Sequence, residues 1–176
     1  MGYVGLAHNR SIKYTDVTTP HSTQGEYLLG EVYEIELDDH GQKSACEFIY
    51  LKSHGALTQY KPYAIGLGTT MGSEYTTNEL FSESAASVQI AIPQIAVSSG
   101  YYFFGLIRGV GKGLVTSNTS TGNYVSGDSL SSALVNDGNM LFNTSVGRAI
   151  ENLTLADESV PEAIKIIMHG RQVAVV

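Results

Sequence analysis

Residues 31–52 read EVYEIELDDHGQKSACEFIYLK, and this stretch decides the fold. Tyr33, Ile35 and Leu37 alternate with Glu34, Glu36 and Asp38, which gives a strand one apolar face and one acidic face. The run DDHGQ follows, where Gly41 is free to take the positive φ of a tight hairpin turn. In the return segment SACEFIYLK, Phe48 and Tyr50 share a face, and Cys46 reads as a small buried strand residue. An isolated hairpin is marginal in water, so its apolar face needs further strands to cover it.

Those strands can be read downstream. SHGALTQYKPYAIGL gives a turn at Gly55 and a short strand interrupted by Pro62, which suits an edge or a bend. GTTMGSEYTTNELFSESAA reads as a polar loop with room for a helical turn over 78–84. In SVQIAIPQIAV, Val88, Ile90 and Ile92 alternate with Gln89 and Ala91, and Pro93 limits ladder pairing. YYFFGLIR and KGLVT read as two strands flanking a tight connection at 109–111. VSGDSL, a turn at NDGN, MLFN, SVGRAIENL and EAIKIIMHG complete the series. Strands recurring about every ten residues with turn signals between them predict an all-β fold, a single β-sandwich or barrel-like domain over 29–176. No amphipathic run is long enough for a sustained helix, which argues against a parallel α/β fold.

The first 28 residues differ from the rest. Tyr3, Val4, Leu6, Ile12, Tyr14 and Tyr27 follow no period that would bury them on their own body. The expectation is an extended N-terminal arm whose apolar side chains are covered by a neighbouring subunit or a larger surface, making these six the candidate contact residues. A disordered tail is the alternative, and the apolar content is high for one.

Composition narrows the function. The 176 residues carry a net charge of −7, with no basic run, which argues against nucleic acid as a ligand. Only 15% of residues are charged, Tyr occurs 11 times and Trp is absent. A weakly charged, tyrosine-rich surface fits one partly covered by a partner, and a tyrosine-filled β core fits the same composition. The opening MGYVGLAHNRSIKYTD lacks the apolar core of a secretory signal, and the longest apolar runs are too short to span a bilayer, so no membrane association is expected. The single cysteine, Cys46, cannot form an internal disulfide.

Three chemical motifs are weak on inspection. Residues 127–130 read GDSL, the signature of a serine hydrolase family, but the motif falls in the last third of the chain rather than near its start. Asn136-Asp137 has Leu134 where an oxyanion-hole glycine belongs, and neither Asp157 nor His169 completes an Asp-x-x-His base. Ser129 therefore reads as a turn residue, with Gly127 taking the awkward dihedral and Asp128 capping the backbone, and no catalytic residue is assigned. RGVGKGL fails as a phosphate loop, with Leu106 and Gly113 at the positions that require Gly and Ser/Thr. His8, His21, His40, His54 and His169 are dispersed, so no metal and no cofactor are expected. The acidic strip Glu31, Glu34, Glu36 and Asp38 is either a solvated face or a surface for a basic partner.

One resemblance remains. The run from Phe48 to Tyr60, FIYLKSHGALTQY, resembles the aromatic-then-"G-A-L-T-Q-Y" pattern of small structural proteins of tailed-bacteriophage heads. IAVSSGYYFFGLIRGVGKGLVT resembles a later strand of the same proteins, although Tyr102-Phe103 stand where they often have Gly-Trp. Ser145-Val-Gly147-Arg-Ala149 matches their "VGRA" strand, and the resemblance spans about 26–170. It implies a capsid decoration, or cement, protein: a non-enzymatic virion component assembled in the host cytoplasm. Such a protein sits on the outer surface of the head, is commonly a homotrimer, and bridges major capsid protein subunits. A carbohydrate- or receptor-binding β module of a head fibre or tail is the alternative.

Overall fold

The alternation at 31–52 folds as a hairpin. β1 (Val32–Asp39) and β2 (Gln42–Ser53) pair antiparallel from Val32↔Ile49 to Asp39↔Gln42. Tyr33 and Ile35 are buried while Glu34 and Glu36 are exposed, and Cys46, Phe48 and Tyr50 are buried on β2. This computed structural model describes residues 12–39, 42–66, 76–80, 90–116, 118–121, 123–128, 133–138, 147–155 and 160–169. Gly41 and Ser129 lie outside them.

The remaining strands are β3 (Tyr63–Gly66), β4 (Thr76–Leu80), β5 (Ile90–Pro93), β6 (Tyr102–Val115), β7 (Tyr124–Asp128), β8 (Ala133–Gly138), β9 (Gly147–Ala149) and β10 (Glu162–His169). A single helical turn, α1 (Tyr14–Val17), precedes them. The fold is all-β and mostly antiparallel, with almost no helix.

The pairing pattern contains a repeat that the sequence hides. In the first unit β2 pairs antiparallel with β6, β6 with β5, β5 with β3 and β3 with β4; β4 then returns to β2 through the parallel pairs Lys52↔Thr76 and Ser53↔Thr77. In the second, β6 pairs antiparallel with β10, β10 with β9, β9 with β7 and β7 with β8; β8 returns to β6 through the parallel pair Val115↔Leu134. Each unit is a circuit of five paired strands in the same order, and β6 serves both. Each also carries one isolated antiparallel bridge between its two crossovers, Leu57↔Val97 in the first and Thr119↔Leu153 in the second.

Buried side chains fall into two clusters. Ile49, Leu51, Leu57, Tyr63, Val97 and Phe103 belong to the cluster inside the first unit. The other face of β2 and β6 contributes Phe48, Tyr50, Phe104 and Leu106 to a larger cluster that continues to Val115, Ile164 and Ile166 of the second unit.

Four local expectations need correction. Residues 109–111 are not a turn between two strands, because β6 runs unbroken from Tyr102 to Val115. It changes neighbours instead: β2 accompanies it as far as Arg108, and β10 accompanies it from Arg108 onward. Residues 76–80 form β4, where a helical turn had room. Asn136-Asp137 lie within β8, and Gly127-Asp128 close β7 in register with Leu134 and Ala133, so neither pair makes the expected turn. At 109–111 the ladder partner is distant in sequence, whereas β7 and β8 are successive strands that pair with each other; in both places the ladder overrides the local Gly, Asn and Asp turn signal.

Tyr60 is the only non-glycine residue with positive φ (64°) among the described residues. For a bulky side chain this costs on the order of 1–3 kcal/mol. Its amide donates to Pro93 O at 2.8 Å and its carbonyl accepts from Leu114 N at 2.9 Å, so the first crossover is tied to both units.

Gly109 has φ 96°, and a Cβ there would lie 2.7 Å from Ala45 O and 2.8 Å from Cys46 Cα. Both the dihedral and the contact with rigid backbone forbid a side chain. Gly109→Ala is expected to lower unfolding free energy by roughly 2–4 kcal/mol, read as a lower urea midpoint. A change below about 0.5 kcal/mol would show that the strand does not bend there.

Candidate interaction surface

Residues 12–31 do not leave the body as a bare arm. They lie across the face of β2 and β6 that points away from the first unit's interior, and an aromatic cluster holds them there. Tyr33, Tyr50 and Phe104 are fully buried, one from each of β1, β2 and β6. The Tyr27 ring stands edge-on to Phe104 at 4.9 Å and to Tyr33 at 5.5 Å, and His21 meets Tyr50 edge-on at 6.1 Å. Edge-to-face pairs of this kind contribute about 0.5–1.5 kcal/mol each beyond area burial.

The backbone of this strap is fixed as well. His21 and Tyr102 exchange both main-chain hydrogen bonds at 2.8 Å, in effect adding one bridge to the edge of β6. Tyr50 Oη donates to Gln24 O at 2.8 Å, Gln24 Nε2 donates to Tyr27 O at 3.0 Å, and Tyr33 Oη accepts from Leu28 N at 3.0 Å. The buried phenols thus have polar partners supplied by the strap, which removes the cost of leaving them unsatisfied.

The six candidate contact residues separate. Tyr3, Val4 and Leu6 lie outside the described residues. Ile12 is buried in the chain's own core beside Val17, and Tyr27 packs half-buried against it. Both differ from the expectation that these residues find no cover on their own body. Sequence periodicity misses this because the strap is irregular and its partners, Tyr50 and Phe104, are far away in sequence. Tyr14 is 62% exposed on α1. Leu28 and Val32, neither singled out by sequence, are exposed at 55% and 42% and flank the turn closed by Glu31 N to Leu28 O. Tyr14, Leu28 and Val32 are the apolar side chains that the strap and the start of β1 offer to a partner.

The outer face of β1, β2, β6 and β10 carries charge. Glu34, Glu47, Arg108 and His169 stand in consecutive cross-strand register, and Arg108 Nη1 lies 3.0 Å from Glu47 Oε1. This row lines an open basin of about 580 Å³. Among the described residues no three His, Cys, Asp or Glu side chains are grouped to hold a metal ion, and no helix is long and apolar enough to cross a membrane.

Burial pushes the Tyr27 phenol up from 10.0 to about 12, helped by its hydrogen bond with Asp16, and burial raises Tyr50 as well. The folded state holds these protons after the unfolded chain releases them. The stability they contribute is therefore complete below pH 10 and is lost as pH rises through about 12. Urea midpoints are expected to be level up to pH 9.5 and to fall beyond it, and to fall less steeply in Tyr27→Phe. An identical decline in that variant would separate Tyr27 from the alkaline loss.

No protein-family model matches this chain, and no curated protein matches it. Among solved structures, the N base of head fibre gp8.5 of bacteriophage phi29 is similar over 71% of this chain and 95% of its own, with 9% identity and a TM-score of 0.48.

Proposed function

We propose that this protein is a structural component of a tailed-bacteriophage head: a decoration protein, without catalytic activity, that binds the outer surface of the shell and bridges neighbouring major capsid subunits. The observation that carries this reading is where the resembling residues fall in the fold. Phe48 to Tyr60 builds the second half of β2, the Leu57 bridge and the strained corner at Tyr60. The stretch 95–116 supplies the Val97 bridge and all of β6, and Ser145–Ala149 ends in β9. The resemblance thus covers the frame of both units rather than scattered surface positions.

The geometry suits bridging. The bridged crossovers of the two units are held together as one body: Tyr60 O in the first accepts from Leu114 N at 2.9 Å, five residues before the Thr119 bridge of the second. Cross-loop hydrogen bonds stiffen both crossover pairs. Buried Ser53 Oγ lies 2.6 Å from Ser98 O at one, and Asn152 Oδ1 accepts from Thr121 N at 2.7 Å at the other. A stiff body can touch two capsid subunits at once, and copies grouped in threes on the shell would multiply weak contacts through avidity.

The purified protein is expected to co-sediment with undecorated heads of its own phage, at a fixed molar ratio to the major capsid protein measured by mass spectrometry. Leu28→Asp with Tyr14→Asp is expected to reduce occupancy at least about tenfold, with the β circular dichroism spectrum unchanged. Heads that sediment bare in the presence of excess folded protein would refute the proposal.

A further inference from the structure

We propose that two copies of this chain associate face to face through the outer surface of β1, β2, β6 and β10, with the acidic pair Glu34–Glu47 of each copy lying on the basic pair Lys112–Lys165 of the other. Both pairs are cross-strand neighbours of like charge. Glu34 stands opposite Glu47 on β1 and β2, and Lys112 stands opposite Lys165 on β6 and β10. Like charges directly opposite one another destabilise a sheet. Local features that oppose the fold concentrate at functional sites. Here two such features of opposite sign occur on one face.

They share that face because of the register. Along β10, Lys165, Ile167 and His169 alternate with the buried Ile164, Ile166 and Met168. Their partners on β6 are Lys112, Val110 and Arg108, and Arg108 in turn pairs with Glu47. The acidic pair is therefore one strand across from Arg108, and the basic pair is four residues along from it, roughly 13 Å. Ile167, 38% exposed, stands between them.

A surface that is acidic at one end, apolar in the middle and basic at the other is complementary to itself under a two-fold rotation. Shape agrees with charge. The open basin of about 580 Å³ runs from Glu34 and Glu47 to Ile167, and the basic end carries the exposed side chain of Lys112, long enough to enter it on a second copy. Partial neutralisation leaves the complementarity in place. Arg108 pairs with Glu47, but the Glu34 carboxylate has no hydrogen bond or ion pair among the described residues. At the other end Glu151 accepts from the Lys165 amide at 2.6 Å, while the Lys112 ammonium lies 5.7 Å from the centre of the Tyr60 ring. This association is independent of the decoration reading, and a two-fold contact can join copies whatever grouping a shell imposes.

Sedimentation equilibrium of the full chain tests it. At about 0.05 M salt the mass should be that of two copies, and at about 1 M, where screening acts within about 3 Å, that of one. Glu34→Lys makes the face basic at both ends and Lys112→Glu makes it acidic at both ends. Each variant alone should be a single copy, with self-association weakened about tenfold or more. Mixed in equal amounts, the two should recover the two-copy mass. Circular dichroism establishes that each variant is folded, and if either reversal unfolds, Glu34→Gln and Lys112→Gln should each weaken association on their own. A single-copy wild type at low salt, an assembly unchanged by both salt and substitution, or folded variants that do not re-associate when mixed would each overturn the proposal.

Discussion

Fourteen residues of β6 belong to two circuits of strands at once, and the change of neighbour falls at Gly109, where φ is 96° and no Cβ can be accommodated. A strand pairs along two edges, and β10 takes the edge that β5 leaves after Leu106, so that β2 and β10 flank Arg108 from opposite sides. At Gly109 the backbone turns so that β2 ends its pairing at Arg108 while β10 begins there. Both hydrophobic clusters draw on β6, one from Phe103 and Ile107, the other from Phe104, Leu106 and Val115. Loss of order in this strand would open both units together.

The strap depends on the same strand. Its backbone bridge is to Tyr102, the first residue of β6, and its main ring contact is with Phe104. Because Tyr27, Tyr33, Tyr50 and Phe104 are already satisfied within the chain, they are not the adhesive surface. Docking residues 12–31 instead fixes Tyr14 and Leu28 outward, so under the proposed capsid-binding role part of the entropy of ordering the contact segment is lost before binding.

How much of this was legible in sequence varies with the range of the interaction. The β1–β2 hairpin is local, and alternation around Tyr33 and Ile35 exposes it directly. The strand character of 102–107 and 162–169 follows from equally clear apolar patterns. The continuity of β6 was not legible, because Arg-Gly-Val-Gly-Lys-Gly has the composition of a turn. Only β10, about fifty residues downstream, supplies the ladder that keeps it extended. The repeat was hidden for a related reason: topology fixes which strands pair, whereas the crossover sequences GALTQYKP and NTSTGN share little. Among the contact candidates, Tyr14 faces outward on α1. Ile12 and Tyr27 turned inward onto rings whose closeness in space no sequence period reports. The charged face was half visible: the acidic strip was apparent on one strand, but the opposing lysines lie on β6 and β10 and come together only through register.

Native-state hydrogen exchange of the β6 amides tests the shared strand most directly. One strand common to two units predicts that amides on both sides of Gly109, in 103–107 and in 110–115, fall in a single slow class governed by global unfolding. A boundary at Gly109, with 110–115 exchanging at loop-like rates while 103–107 stay protected, would mean two strands joined by a turn and would contradict the account.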